Sequence, residues 1–308
     1  MSVEKRSRDG GEGSELPSIL FVGCGMMGLP MARHLIKAGF SVHVWNRTEE
    51  RLQPLIHQGG LVVEALTESV RESQITICML STGQVVNKVL FEPDDSGRIP
   101  VEGMKPESTL IVMSSIPVEL TQRQASILKE RGVAYIDAPV SGGEQGAIDG
   151  TLAIMAGGSS HDLKRVEPIL THMGNVTHIG PVGTGQLAKL ANQLIVGITI
   201  GAVAEALLMC EKGNADSGKV REALFGGFAD STVLRTHGGR MIIQNFEPGG
   251  LAEHQLKDLV TASKFAQHRD INLPLLKTAT DLFQKMCDRG QGKLDQSALY
   301  LELRDYII

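Results

Sequence analysis

Short apolar runs alternate with amphipathic stretches through the first half of the chain. Ser18 to Val22 reads SILFV, a run with no polar break after the serine, and predicts a strand buried on both faces. The next periodic stretch places Met31, Leu35 and Ile36 on one helical face and stops at Gly39. Ser41 to Trp45 predicts a second strand. A helix is expected from about Thr48, an N-cap candidate with Glu49 and Glu50 in the first turn. Further strands are predicted at Ile75–Met79, Thr109–Val112 and Val133–Ile136, and a late pair at Thr151–Ala156 and Val176–Ile179. Strands alternating with helices over about 160 residues predict a parallel, doubly wound sheet with helices on both faces. The turn-rich stretch Glu92–Lys105 is expected to be an exposed connection.

After Gly185 the pattern changes to helical periodicity alone. Helices are predicted over Gln186–Lys212, Ser217–Phe225, Ser231–Gln244, Leu251–His268, Pro274–Arg289 and Gln296–Tyr306. The fold class is therefore α/β: a Rossmann-type doubly wound domain over 17–181, then an all-helical domain over 182–308. Residues 1–16 are polar, with Glu4, Asp9, Glu12 and Glu15 and no apolar core, and read as a disordered tail rather than a targeting segment. Leu190–Cys210 is apolar and long enough to span a bilayer, but Asn192, Gln193 and Glu205 interrupt it. It reads as a buried helix, with Gly197 and Gly201 admitting a close neighbour.

The 308 residues are 42% hydrophobic and 21% charged, an ordinary globular balance. Thirty Lys and Arg against thirty-five Asp and Glu leave a net charge of −5. With aromatics at 4%, that excludes a dedicated nucleic-acid binder. Cys24, Cys78, Cys210 and Cys287 form no close pair and fit a reducing compartment, hence a cytoplasmic protein. The histidines show no metal-ligand spacing, and no metal is expected.

Gly23-Cys24-Gly25-Met26-Met27-Gly28 follows the first strand and opens the first helix. In this setting Gly23 makes the tight turn and Gly25 lets the backbone approach a pyrophosphate. Gly28 lets helix and strand pack closely, and the helix N-terminus faces the phosphates. Met26 and Met27 lie in the same loop. The second strand ends in Asn46-Arg47-Thr48. No carboxylate stands there to accept from a ribose 2′-hydroxyl. Arg47 has the donor fork for a 2′-phosphate, and Asn46 and Thr48 can add hydrogen bonds, so NADP is expected over NAD. Leu80 and Ser81, just past another strand end, belong at the same crevice.

Four blocks carry a family resemblance: GCGMMGLPMARHLIKAG, DAPVSGGEQGAIDGTLAIMAGG, GTGQLAKLANQLIVG and LKDL. Through them the chain resembles the β-hydroxyacid dehydrogenases, the group of 3-hydroxyisobutyrate and 6-phosphogluconate dehydrogenases, from about Ser18 to Tyr306. NQLIVG, GGFADSTVL, NFEPG and DQSAL resemble the tartronate semialdehyde reductase branch. The resemblance implies hydride transfer between nicotinamide and a small hydroxyacid or semialdehyde, in a dimer or tetramer. Other semialdehydes, and 3-hydroxyisobutyrate itself, stay open as substrates. A nucleotide-binding module without catalysis is the reading of another class, and the presence of Lys189 speaks against it.

The resemblance also implies roles. Ser141, Gly142 and Gly143 would hold the substrate carboxylate; from chemistry alone the same residues suit a tight turn equally well. Lys189, which by itself would read as a snorkelling surface charge, matches the family's catalytic lysine and would exchange a proton with the substrate oxygen. The family has Asn four positions after that lysine. Here Gln193 stands there and Asn192 one position earlier, and Asn192 is taken as the orienting amide. Lys257 matches a second lysine over nicotinamide and substrate, and Ser115 a hydroxyl that touches the cofactor.

Overall fold

A computed structural model describes residues 16–307. The reading of the N-terminal tail concerns residues that lie, apart from Leu16, outside that range. Strands β1 (Ile19–Val22), β2 (Val42–Trp45), β3 (Leu61–Val62), β4 (Ile75–Cys78), β5 (Thr109–Val112) and β6 (Ala134–Asp137) are parallel, in the order β3-β2-β1-β4-β5-β6. β1 sits between β2 and β4, and its side chains alternate between two cores. Ile19 and Phe21 join Met31 and Leu35 of helix α1 (Gly28–Lys37); Leu20 and Val22 join Leu90, Leu110 and Leu128 on the other face. That is why ILFV carries no polar position.

Helices α2 (Gln53–Ile56), α3 (Leu66–Glu72), α4 (Gly83–Val86) and α5 (Val118–Lys129) connect these strands. Beyond β6 the sheet turns mixed. β7 (Val140–Ser141) follows after only Ala138 and Pro139, then α6 (Gly143–Asp149), then β8 (Leu152–Gly157), which runs antiparallel to both β6 and β7. The link from Ser141 to Leu152 is too short for the crossover a parallel return needs. Helix α7 (Ser160–Leu170) provides that crossover between β8 and the parallel β9 (Gly174–Gly180).

Two local expectations differ. Glu49–Leu52 is a 3-10 turn before α2, and the Thr48 hydroxyl does not cap it. The stretch 92–105 is not exposed throughout: Val101 and Met104 plug the core beside Val70.

The C-terminal half is helical: α8 (Thr184–Lys212), α9 (Ser217–Ala223), α10 (Thr232–Ile242), α11 (Ala252–Gln267), α12 (Pro274–Met286) and α13 (Leu299–Ile307). Its core gathers Ile200, Leu207 and Leu208 of α8 with Leu259, Phe283 and Leu299. At Gly197 a Cβ would lie 2.8 Å from Gln255 Nε2, so α11 crosses α8 there; at Gly201 the nearest atom is 3.9 Å away, an ordinary contact. The helix is long and apolar enough to cross a membrane, yet only 33% of its most apolar stretch is buried. It is therefore a core helix on one face and not, as the sequence suggested, all round. Ile195 (62% exposed), Ala202 and Met209 (70%) form a stripe at seven-residue spacing on the open side.

Candidate active site

The loops after β1, β2, β4, β5 and β6 lie at the C-terminal ends of the parallel strands, where β1 has β2 on one side and β4, which the chain reaches only after β3, on the other. Such a switch point opens a crevice for a nucleotide. The glycine turn fits one. A Cβ on Gly28 would lie 1.9 Å from Gly23 O, and one on Gly23 2.4 Å from Met79 O, whereas one on Gly25 would meet nothing closer than 4.0 Å. α1 has no acidic residue in its first turn and no side-chain cap; Leu29 N donates to Gly25 O at 2.9 Å and Pro30 carries no N–H, which leaves the Gly28 amide at the helix start for an anion. Met26 is exposed and Met27 packs back on the core.

Asn46 ties the second loop to the first: its Oδ1 accepts from Cys24 N at 3.1 Å while its Nδ2 donates to Thr48 O at 2.7 Å. Arg47 and Thr48 are exposed beyond it. Arg51, not singled out in the sequence, approaches Gly25, with Nη1 4.0 Å from where a Cβ there would sit. Its signal was the four-residue spacing from Arg47. The loops after β4 and β5 are joined by the buried Ser114 hydroxyl, which accepts from Leu80 N at 2.7 Å. Ser81 is exposed and Ser115 half-buried.

Ser141 ends β7, and the next two residues have φ of 138° at Gly142 and 64° at Gly143, conformations open to glycine. The turn leads into α6, whose far end is fastened to α1: His34 Nε2 lies 3.1 and 2.9 Å from the carbonyls of Ala147 and Ile148.

At the head of α8, Lys189 Nζ donates to Gln193 Oε1 at 3.0 Å. Asn192 Nδ2 donates to the same oxygen at 2.9 Å. The Gln193 amide in turn donates to Asp258 Oδ2 at 2.7 Å and Gln255 Oε1 at 3.0 Å. Asp258 is buried, and its other oxygen lies 3.1 Å from Lys257 Nζ, which reaches toward Ser115 O at 3.4 Å. Lys189, Gln193, Asp258 and Lys257 thus form one chain of contacts ending at the β5 loop. Lys189's direct partner is Gln193, while Asn192, the amide taken from the sequence, stands beside it. Burial pulls the Lys189 pKa down to about 8, opposed by the Asp258 carboxylate and reinforced by the Lys257 charge. An amine of that kind can hold or release a proton near neutral pH.

Two contacts that the sequence reading did not foresee seat α8. Gln186 is buried, donates to Ser114 O at 2.8 Å and accepts from Ile116 N at 3.1 Å. Asp137, at the end of β6, accepts from Gly183 N at 2.8 Å and Gln186 N at 2.9 Å. Among the described residues no group of three or more His, Cys, Asp or Glu side chains is placed to hold a metal.

Comparisons with known proteins agree with this geometry. Residues 18–180 match the NAD binding domain of 6-phosphogluconate dehydrogenase, and residues 183–303 match the NAD-binding domain of NADP-dependent 3-hydroxyisobutyrate dehydrogenase. The chain belongs to the β-hydroxyacid dehydrogenase family. Like its relatives, this β-hydroxyacid dehydrogenase is an NAD(P)-dependent oxidoreductase of small hydroxyacids. It is 42% identical to 2-hydroxy-3-oxopropionate reductase of Escherichia coli (strain K12), over 91% of this chain and 94% of that one. Glyoxylate/succinic semialdehyde reductase 1 of Arabidopsis thaliana is 29% identical over 91% of this chain and 96% of its own. Among solved structures, Mycobacterium tuberculosis 3-hydroxyisobutyrate dehydrogenase with L-serine superposes with a TM-score of 0.84 at 28% identity, covering 94% of this chain and 99% of that one.

Proposed function

We propose that this β-hydroxyacid dehydrogenase is an NADP-preferring 2-hydroxy-3-oxopropionate (tartronate semialdehyde) reductase. The observation that carries the reading is Lys189, held at the head of α8 by Gln193 with a proton affinity near neutral pH. The substrate assignment follows the 42% identity to a reductase of that name. The coenzyme preference follows the exposed Arg47, with Arg51 approaching the glycine turn and no carboxylate at the β2 tip.

In this reading the turn of Gly23, Gly25 and Gly28, with the Gly28 amide at the start of α1, seats the pyrophosphate, and Arg47, Thr48 and Arg51 face the adenosine end. Bound there, the dinucleotide supplies the hydride that reduces the carbonyl. Ser141, Gly142 and Gly143 take the substrate carboxylate. Lys189, as the ammonium, donates its proton to the carbonyl oxygen, and in the reverse direction the neutral amine accepts the alcohol proton. Gln193 holds the Lys189 nitrogen, Asn192 stands beside it for the substrate, and Lys257 neutralises charge at the open side.

The apolar stripe Ile195–Ala202–Met209, whose Ala202 and Met209 line a groove with Leu282, Leu303 and the charged Glu205 and Asp281, supports a homo-oligomer built on α8. Light scattering at a monomer mass would refute it.

The reading is tested by initial rates of NADPH and NADH oxidation with tartronate semialdehyde, glyoxylate and succinic semialdehyde, in wild type and Lys189→Ala. A fast NADPH rate with tartronate semialdehyde, lost in the variant, is expected. A higher kcat/KM with another semialdehyde overturns the substrate, a preference for NADH the coenzyme, and an active variant the role of Lys189.

A further inference from the structure

Asp137 is fully buried, and among the described residues it has no ion-pair partner. Its neighbours are hydrogen-bond donors of the main chain. Oδ1 accepts from Gly183 N and Oδ2 from Gln186 N, and the Gly185 amide contributes. These are leading N–H groups of α8, which carry the partial positive charge of a helix N-terminus. The carboxylate therefore caps a long helix from outside it, across 46 residues of chain.

The cap is a built contact. Asp137 pairs with Gly157 across β6 and β8. A Cβ on Gly157 would lie 2.6 Å from Asp137 Oδ1, and one on Gly185 2.8 Å from Oδ2 and 2.3 Å from Met155 O. Glycines on both sides let the helix end butt against the strand end.

Asp137 also stands at the root of both halves of the site. Along its own strand the chain runs through Pro139 to Ser141, Gly142 and Gly143. Across the cap, Gln186 lies one helical turn before Lys189. We propose that Asp137 is a positioning residue: its carboxylate pins the α8 N-terminus to the β6 end and so fixes Lys189 relative to the Ser141–Gly143 turn. The inference rests on the proton-transfer role proposed for Lys189.

Protonation would undo the pin. The groups facing the carboxylate from α8 are amide donors, from β8 a glycine, and along β6 its titratable neighbour is Tyr135, whose phenol donates to Gln124 at 2.9 Å. An acid proton on Asp137 would meet donors instead of an acceptor. Burial raises the Asp137 pKa to about 6 against the pull of those amides, so the cap weakens just below neutral pH.

The test compares the full-length wild type, Asp137→Asn and Lys189→Ala. Three quantities are measured: steady-state kcat, the NADPH dissociation constant, and amide hydrogen exchange of the 183–190 segment against that of α1. In Asp137→Asn the 183–190 segment is expected to exchange at least about tenfold faster with α1 unchanged. Its kcat is expected to fall about 10- to 100-fold while the NADPH dissociation constant stays within about twofold. Unchanged exchange and kcat overturn the proposal, as does a kcat loss matched by an equal loss of NADPH affinity. Lys189→Ala is expected to lose kcat with wild-type exchange at 183–190. If it keeps kcat, the role of Lys189 fails while the exchange comparison still judges Asp137. Should Asp137→Asn not fold, wild-type exchange decides: protection of 183–190 relative to α1 is expected to fall from pH 7.5 to 5, and a constant ratio overturns the cap.

Discussion

Lys189 Nζ and Gln193 Oε1 lie 3.0 Å apart, one turn from each other on the same face of α8. The ammonium is thus held by an amide whose own N–H groups are committed to Asp258 and Gln255. The side chain has no freedom to turn its oxygen away, and the lysine inherits that order.

Replacing Lys189 by Met is expected to lower kcat by at least about 10²-fold, as loss of a general acid does. Stability should move the other way. The folded pKa of about 8 lies below the unfolded value of 10.5, so between those pH values the unfolded chain binds more protons. The charged lysine thus opposes folding below pH 8, and the penalty is relieved as pH rises toward 10.5. Calorimetry at pH 7 should find a higher Tm in Lys189→Met than in the wild type, with the gap closing at higher pH.

The same pKa sets the direction of the pH profile. Carbonyl reduction needs the ammonium and should fall as pH rises through about 8, while alcohol oxidation needs the amine and should rise over the same range. Saturating rates in both directions from pH 6 to 10 check this.

Gln193→Ala removes the acceptor of Lys189 and leaves Asp258 without its amide donor. We expect kcat to fall about 10- to 100-fold, with most of the loss kept in Gln193→Asn, whose shorter arm cannot span to both Lys189 and Asp258. NADPH affinity should be unchanged in both variants, which fluorescence titration would show.

Arg47→Ser and Arg51→Ser are expected to raise KM for NADPH by about tenfold each and to leave KM for NADH nearly unaltered. A charge-assisted hydrogen bond to a phosphate is worth about 1.5–3 kcal/mol, and only NADPH carries the 2′-phosphate. Steady-state KM values with both coenzymes settle the comparison.

Gly142→Ala forces a side chain into a φ of 138°, with its Cβ 3.1 Å from Leu152 Cδ2. A cost of about 1–3 kcal/mol is expected for such strain. It should appear as a lower Tm together with a higher KM for the carboxylate substrate, read by differential scanning calorimetry and steady-state rates.

The parallel strands were legible because burial on both faces writes itself as continuous apolar runs, as in Ile19–Val22. β3 and β7, two residues each, are below the length at which any periodicity exists. The antiparallel return through β8 follows from a short connection, which the sequence reading passed over. The glycine turn and Lys189 were legible as motifs. Gln193's place was not, because residues three and four positions along a helix both lie near the lysine and only the α11 side chains choose between them. Asp137 stood unremarked within DAPVSGG, since its partners are main-chain amides 46 and 49 positions away. Asp258, next to Lys257 in LKDL, carries no mark of burial in the sequence; the packing of α11 turns it inward.

The clasp of His34 on the carbonyls of Ala147 and Ile148 has a bearing on evolution and design. It fastens the helix behind the Gly23–Gly28 turn to the helix behind the Ser141–Gly143 turn, so in the proposed reading the two anion seats keep a constant span whatever α8 and α11 present opposite them. On that reading, length and branching of the acid are selected from the helical half. Libraries that aim to change the preferred acid should vary Asn192 and the α11 positions around Lys257, and leave the glycine turns untouched.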